Sequence, residues 1–185
     1  HRTRDLRIER TTVHASGAMA LICENTEDVT LSRYDVRLRE GSGRIISASA
    51  DASHFVNCRG TIRFDSCLFE NMLDDATNIH GTYMAVDTLS GNRLTARFGH
   101  VQQQGFDFAR AGDTLRLIDR VSLRPLETFV AAEARPLGDE RWTIRAAEPL
   151  ATPPSEHLAV ENPRNMPAVE MRHCTVRNNR ARSIL

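Results

Sequence analysis

Two adjacent aspartates, Asp74 and Asp75, stand in the polar stretch ENMLDDATNIHG at residues 70–81. Like charges this close repel each other, so the pair indicates either a solvated turn or a site that uses carboxylates. Carboxylate pairs serve as general acid and base in the hydrolysis of glycosidic bonds, and carboxylates also bind Ca²⁺. Asp and Asn are equally common in turns, where they bond to the backbone. All three interpretations are open for this stretch.

Four copies of one apolar pattern run along the chain, each with spacings of two and five residues. The first two residues of each copy alternate with a polar one, which is typical of a β-strand. The copies are Leu6, Ile8 and Val13; Val29, Leu31 and Val36; Ile62, Phe64 and Phe69; and Val169, Met171 and Val176. The distance along the chain from the first copy to the second is the basic step. The distance to the third copy is this step plus a loop, and the distance to the fourth is this step plus a long insertion. The sequence therefore predicts an all-β parallel β-helix with about 23 residues per coil.

The long step before the fourth copy predicts an inserted subdomain. Residues 84–165 contain the strand-like runs MAVDTL, RLTARF, DTLRLID, ETFVAAEA and RWTIRAAE. Short strands separated by turn residues favour a small antiparallel β-barrel or sandwich, with Trp142 as a core anchor. The predicted domains are β-helix coils at 1–83, the inserted barrel-like subdomain at 84–160, and a return to the β-helix at 161–185.

The same register relates the aspartates to other charged residues. Asp51 precedes Asp74 by the same step by which Leu6 precedes Val29, and Arg182 follows Asp75 by the same step by which Val169 follows Ile62. We therefore expect Asp51, Asp74 and Asp75 to converge as a carboxylate cluster on neighbouring coils. Arg182 would offset part of the repulsion between the three carboxylates.

The overall composition limits the choice of partners. The chain has 24 basic residues, all of them Arg, against 24 acidic ones. This balance gives no indication of a nucleic-acid partner or an anionic membrane surface. No apolar stretch approaches the ~20 residues that span a bilayer. The four cysteines include no CxxC pair, so they are expected to be free thiols rather than zinc ligands.

Three stretches resemble glycoside hydrolase family 110, the exo-acting α-1,3-galactosidases. They are FENMLDDATNIHG (69–81), SADASHFVNCRGTIRFDSCLFEN (49–71) and ENPRNMPAVEMRHCTVRNNRARSIL (161–185). The resemblance implies a right-handed parallel β-helix and removal of terminal α-1,3-linked galactose, as on the blood group B antigen. It also implies inversion, no metal or other cofactor, and a bacterial enzyme that is secreted, periplasmic or at the cell surface. One departure is Ser183, where the family pattern has a small Gly.

The resemblance also assigns roles to residues of this chain. The catalytic carboxylates would be Asp51, Asp74 and Asp75, with Asp51 as the acid and Asp74 or Asp75 as the base. The residues expected to bind the substrate are Asn78, His80, Arg180 and Arg182. The partner would be a galactose-terminated oligosaccharide or glycoconjugate, and an oligomer is compatible with the sequence. Since the chain has no initiator Met, it is expected to be a segment of a longer protein.

Two other functions remain open from the residues. The first is a β-helix polysaccharide lyase that holds Ca²⁺ with the aspartates. The second is a solenoid that binds carbohydrate without catalysis.

Overall fold

A computed structural model describes residues 2–138 and 140–185. The chain divides into two compact units: the described residues of His1–His80 together with Asn165–Leu185, and those of Gly81–Arg164. No helix in the described part is long and apolar enough to cross a membrane. Whether these units fold as domains with the predicted bounds at 1–83, 84–160 and 161–185 stays a prediction.

The strands of the described residues are numbered in chain order, from β1 to β15. The first unit begins with β1 (Arg4–Val13), β2 (Ile22–Glu24), β3 (Glu27–Val36), β4 (Ser53–Val56), β5 (Arg59–Asp65), β6 (Leu68–Glu70) and β7 (Thr77–His80). The second unit holds β8 (Tyr83–Ser90), β9 (Arg93–Phe98), β10 (Thr114–Asp119), β11 (Pro125–Pro136), β12 (Arg141–Ala146) and β13 (Leu158–Glu161). The first unit ends with β14 (Ala168–Arg172) and β15 (Thr175–Arg177), and short 3-10 helices lie at Val101–Gln103 and Pro163–Asn165.

A six-stranded parallel sheet carries the four apolar triplets. Its order is β14–β5–β3–β6–β15, and β1 also pairs with β3. The triplets meet in register: Val29 pairs with Leu6 on one side and with Ile62 on the other, and Ile62 pairs with Val169. The sequence separations predicted from the triplets are thus the separations between paired residues in this sheet. In-register stacking places Phe64 and Phe69 in one core, with ring centroids 6.1 Å apart in an edge-to-face arrangement.

A second, three-stranded parallel sheet has the order β2–β4–β7. Because side chains alternate along a strand, one face of this sheet buries Cys23 and Phe55 while the other carries polar side chains. His54 pairs with Asn78 across β4 and β7, so both side chains lie on that polar face, as does His80 two positions further on.

The second unit is a closed antiparallel barrel of β10–β11–β12–β9–β8–β13. Closure removes the sheet edges, so every strand has two partners. Alternate side chains fill the interior, and Trp142 lies in this core against Phe108, with ring centroids 6.3 Å apart. The predicted antiparallel insertion and the role of Trp142 as a core anchor are thus confirmed.

The all-β class holds, but the predicted right-handed parallel β-helix was wrong. The parallel strands form two separate sheets of six and three strands, not one continuous solenoid of regular coils. The spacing is too unequal for such coils, since the step between paired residues grows from Leu6–Val29 to Val29–Ile62 and again to Ile62–Val169. Between the sheets, the turns of the described chain contribute isolated bridges, such as those from Ser16 to Ala48 and from Ala48 to Met72.

Candidate functional site

The charged residues lie in the turns before β4 and β7 and in the C-terminal segment that bridges to Thr77. Their backbones form a ladder: the Ala52 N–H donates to the Asp75 carbonyl at 3.1 Å, and the Ala76 N–H donates to the Arg182 carbonyl at 3.1 Å. The turns are therefore stacked by hydrogen bonds of the kind that join parallel strands. This ladder holds Asp51, Asp75 and Arg182 on neighbouring segments, close enough for their side chains to meet.

The ladder differs by one position from the predicted register. In β4 and β7, Ser53 pairs with Thr77, whereas the step from Leu6 to Val29 would pair it with Ala76. Asp51 is therefore level with Asp75, although the sequence analysis placed it level with Asp74. The spacing of β1 and β3 does not extend to this sheet because a different stretch of chain, residues 57–76, joins β4 to β7.

Asp51, Asp74 and Asp75 nevertheless converge. One carboxylate oxygen from each lies within 4.8 Å of the others. Asp51 is 3% exposed and Asp75 1%, whereas Asp74 is exposed to solvent. The Asp75 N–H donates to Asp74 Oδ1 at 3.1 Å, which orients the exposed carboxylate. Two buried carboxylates and one exposed carboxylate therefore share a small volume.

Arg182 neutralises one of the buried carboxylates. Its backbone N–H and its Nε–H donate to Asp75 Oδ1 at 2.8 and 3.1 Å, and Nη2 donates to Oδ2 at 3.0 Å. Burial alone would raise the pKa of Asp75, but these bonds to Arg182 lower it below its ordinary value. Bonding to Asp75 in turn raises the pKa of the Arg182 guanidinium. Asp75 is therefore ionised at neutral pH.

Asp51 has a different partner, which the sequence analysis missed. His54 Nδ1 lies 2.7 Å from Asp51 Oδ2, and His54 Nε2 lies 3.1 Å from His80 Nε2. The two imidazole rings meet edge to face, with centroids 5.0 Å apart. Because His54 stands at the start of a strand, its sequence position is equally typical of a residue that caps the turn. The available signal is its place three residues after Asp51, which brings the ring back over the carboxylate.

The other residues expected to bind substrate are placed unequally. Asn78 lies on the same face as His54, and its Oδ1 is buried without a hydrogen-bond partner among the described residues. Arg180 donates its backbone N–H to the Met72 carbonyl at 3.2 Å, and its side chain is exposed. Within the described chain, no bond joins the Arg180 side chain to the aspartates. The structure thus places Arg182 at the cluster, His80 one hydrogen bond away through His54, and Asn78 on the face that carries His54, and it leaves the Arg180 side chain outside the cluster. Their roles in binding stay predictions.

Three close carboxylates raise the question of a cation. Ca²⁺ takes six to eight oxygen ligands, so a site for it needs carboxylates whose lone pairs are available. Both oxygens of Asp75 are already bonded to Arg182, which supplies the positive charge that a metal ion would bring. The chemistry of this donor set therefore favours acid–base work over calcium binding.

Comparison with known proteins finds relatives whose names are those of galactosidases. The family model described as GLAA-B beta-barrel domain II matches residues 93–156, within the closed barrel. "Alpha-1,3-galactosidase B" of Akkermansia muciniphila is 36% identical over 100% of this chain and 23% of the relative. "Alpha-1,3-galactosidase A" of Shewanella woodyi is 32% identical over 99% of this chain and 30% of the relative. "Alpha-1,3-galactosidase B" of Phocaeicola vulgatus is 32% identical over 98% and 32%.

The chain thus spans about a quarter to a third of the length of the curated relatives that it matches. The similarity covers both compact units, because the alignments run over nearly the whole chain. The similarity therefore includes the carboxylate cluster as well as the barrel. The relatives confirm the resemblance to glycoside hydrolase family 110: over nearly its whole length the chain is similar to the α-1,3-galactosidases A and B.

Proposed function

We propose that this chain carries the catalytic centre of a glycoside hydrolase that removes terminal α-1,3-linked galactose from glycans. The observation that supports it most is the convergence of Asp51, Asp74 and Asp75 within 4.8 Å, with Asp75 held ionised by Arg182. Hydrolysis of a glycosidic bond needs one protonated and one ionised carboxyl group. The names of the relatives supply the sugar and the linkage, which the geometry alone does not specify.

The environments of the aspartates separate their roles. Asp75 cannot be the acid, because Arg182 lowers its pKa and uses both oxygens. We assign the acid to Asp51, whose buried carboxyl group meets His54. Asp74 is the exposed carboxylate and reaches the water that attacks the sugar. Asp75 orients this pair and, through Arg182, the hydroxyl groups of galactose.

We include inversion at the anomeric carbon in the proposal because the family resemblance implies it. Inverting enzymes place a water between acid and base, so their carboxyl groups are roughly 6.5–9.5 Å apart. The distance of 4.8 Å joins single oxygens, and each carboxyl carbon lies about 1.2 Å behind its oxygen. Carboxyl carbons up to about 7 Å apart are therefore compatible with this cluster, which reaches the lower end of the inverting range.

The direct test is hydrolysis of α-1,3-galactobiose, with α-1,4-galactobiose as the matched control substrate. We expect galactose to be released from the first and far more slowly from the second. Proton NMR of the first turnovers should show β-galactose, and first-formed α-galactose would exclude inversion. Equal rates on the two disaccharides would contradict the assigned linkage.

The two other functions make different predictions in the same experiment. A calcium-dependent lyase loses activity in EDTA and forms an unsaturated product, which absorbs in the ultraviolet. A binding module retains galactosides without releasing galactose, and the binding survives loss of either buried aspartate. We expect galactose release that EDTA does not change, without any absorbing product.

A further inference from the structure

The contacts of His54 suggest more than a supporting role. Its two ring nitrogens lie 2.7 Å from Asp51 Oδ2 and 3.1 Å from His80 Nε2, so the three residues form one unbroken hydrogen-bonded chain. Asp51 is 3% exposed, whereas His80 is only half-buried. The imidazoles therefore connect a buried carboxyl group with a less buried part of the surface.

The contact between the two Nε2 atoms holds a single proton. An imidazole nitrogen either donates or accepts a hydrogen bond, so one Nε2 must carry the proton and the other must accept it. Two protonated Nε2 atoms at 3.1 Å would repel, and two unprotonated ones would form no bond. The proton can sit on either ring, because both atoms are imidazole nitrogens that can donate or accept. This is the arrangement that a proton relay requires.

We propose that His80 and His54 relay the proton that reloads Asp51 after each turnover. This inference rests on the proposed function, because it assumes that Asp51 is the acid. Before it is reloaded, Asp51 has given its proton to the oxygen of the leaving sugar, and the C1–O bond to that sugar has broken. The water that attacks C1 gives its own proton to the base.

Reloading balances as three transfers along the chain. His80 Nδ1 takes a proton from outside the three residues, and His80 Nε2 passes its proton to His54 Nε2. His54 Nδ1 then passes its proton to Asp51 Oδ2, which restores the carboxylic acid. No bond other than N–H and O–H changes, and no oxidant or reductant is needed. At the end each imidazole is neutral, with His54 donating from Nε2 to His80. Both rings must then return to their starting tautomers, with the protons on His54 Nδ1 and His80 Nε2, before the next turnover.

Several charged groups surround this hydrogen-bonded chain. Asp75 and Arg182 lie beside the relay, and the charge of His54 acts on Asp75. The charges of Asp74 and Asp51 also help to raise the pKa of the Arg182 guanidinium. Glu24 lies on β2 in the same sheet, level with Val56 of β4.

The relay is tested with two substitutions, each of which keeps one hydrogen bond of the chain but cannot pass a proton. In His54→Asn the amide nitrogen takes the place of Nδ1 at Asp51, and in His80→Gln the amide takes the place of Nε2 at His54. Neither amide can take up a proton at one atom and release a proton from another. If the bond to Asp51 or the bond between the two side chains had only a structural role, His54→Asn or His80→Gln, respectively, would keep it, whereas a relay fails in both. His173→Asn is the matched control, because His173 also contacts an aspartate, Asp65, at 3.3 Å.

The expected result depends on the leaving group. With α-1,3-galactobiose, whose leaving sugar needs a proton, kcat should fall about a hundredfold in both variants, the lower end of what acid catalysis contributes. With 4-nitrophenyl α-galactoside, whose leaving group needs almost no proton, kcat should change less than about threefold. Added imidazole should restore part of the lost rate. Wild-type rates on galactobiose, or equal losses on both substrates, would overturn the relay.

A second measurement does not depend on activity. The bond between the two Nε2 atoms should give a ¹⁵N–¹⁵N coupling across the hydrogen bond in NMR spectra of the labelled protein. His80→Gln should abolish this imidazole coupling, while His173→Asn should leave it unchanged. Absence of the coupling in the wild type would refute the relay itself. Absence of any galactosidase activity with the coupling intact would refute the proposed function instead.

Discussion

Replacing Arg182 with Met tests how the cluster tolerates a buried charge. The substitution keeps much of the aliphatic stem but removes the bonds from Nε and Nη2 to Asp75, and it leaves the backbone N–H bond in place. Breaking a fully buried ion pair costs about 3–5 kcal/mol. The Arg182 side chain is 60% exposed, so solvent screens part of this interaction. We therefore expect the free energy of unfolding at pH 7 to fall by about 1–3 kcal/mol.

The chain offers a matched control for this substitution. Arg177 bonds Glu70 through Nε at 2.7 Å, across the same sequence separation as Arg182 and Asp75, and its side chain is 58% exposed. Glu70 is more accessible than Asp75, at 13% against 1% of the side chain. Arg177→Met should therefore cost less than about 1 kcal/mol, the usual worth of an exposed pair. Urea unfolding of the wild type and both variants measures the difference.

The stability difference between the wild type and Arg182→Met should depend on pH in a definite direction. Because the folded-state pKa of Asp75 is lowered, its stabilising effect is present above the unfolded-state pKa, near about 4. That effect is lost as the pH falls through the lower folded-state pKa. The gap between the wild type and Arg182→Met should thus be widest at neutral pH and close in acid. Equal losses for Arg182→Met and Arg177→Met, or a gap that widens in acid, would refute the reasoning.

Two further predictions concern the parallel sheets. Gly60 has a φ of +66°, and a Cβ at this position would overlap the Asp28 carboxylate, which accepts a hydrogen bond from the Thr61 N–H. Gly60→Ala should therefore lower the free energy of unfolding, measured with urea, by about 2–4 kcal/mol. Gly41→Ala, with a similar φ of +70° and open space, should cost only about 1 kcal/mol; equal costs would contradict the close approach. Burial raises three thiol pKa values, so a disulfide reagent at pH 8 should label Cys174 first in the folded protein, and early labelling of the buried thiols would contradict their environment. Their pKa values are raised to about 12, 11 and 11 for Cys23, Cys58 and Cys67.

Several features follow directly from the residues. The apolar triplets determine the pairing of Val29 with Leu6 and Ile62, because a slip by one residue would turn the buried side chains outward. The step that pairs Ile62 with Val169 likewise brings Arg182 to Asp75. The barrel followed from alternating strand-like runs between turn residues. In each case burial of one face penalises any other register.

Other features have no such signal. The segment before β4 reads ISASADA, in which Ile46 is the one large apolar residue, so its weak alternation does not decide whether Asp51 is level with Asp74 or with Asp75. The continuous β-helix was an extrapolation from strand pairs to the turns between them, which carry no apolar pattern of their own. His54 was missed because the contact with His80 depends on the pairing of β4 with β7. Such a contact becomes visible only when the register is known.

The most direct test of the aspartate cluster is the rate of galactose release from α-1,3-galactobiose by Asp51→Asn, compared with Asp65→Asn. Both substitutions replace a carboxylate that contacts a histidine, but Asp65 is exposed and lies outside the cluster. The proposed function predicts that Asp51→Asn lowers kcat at least about a hundredfold while the protein stays folded, since an amide cannot act as the acid. Asp65→Asn should keep the wild-type rate. Full activity of Asp51→Asn, or an equal loss in Asp65→Asn, would contradict the assignment of the cluster as the catalytic centre.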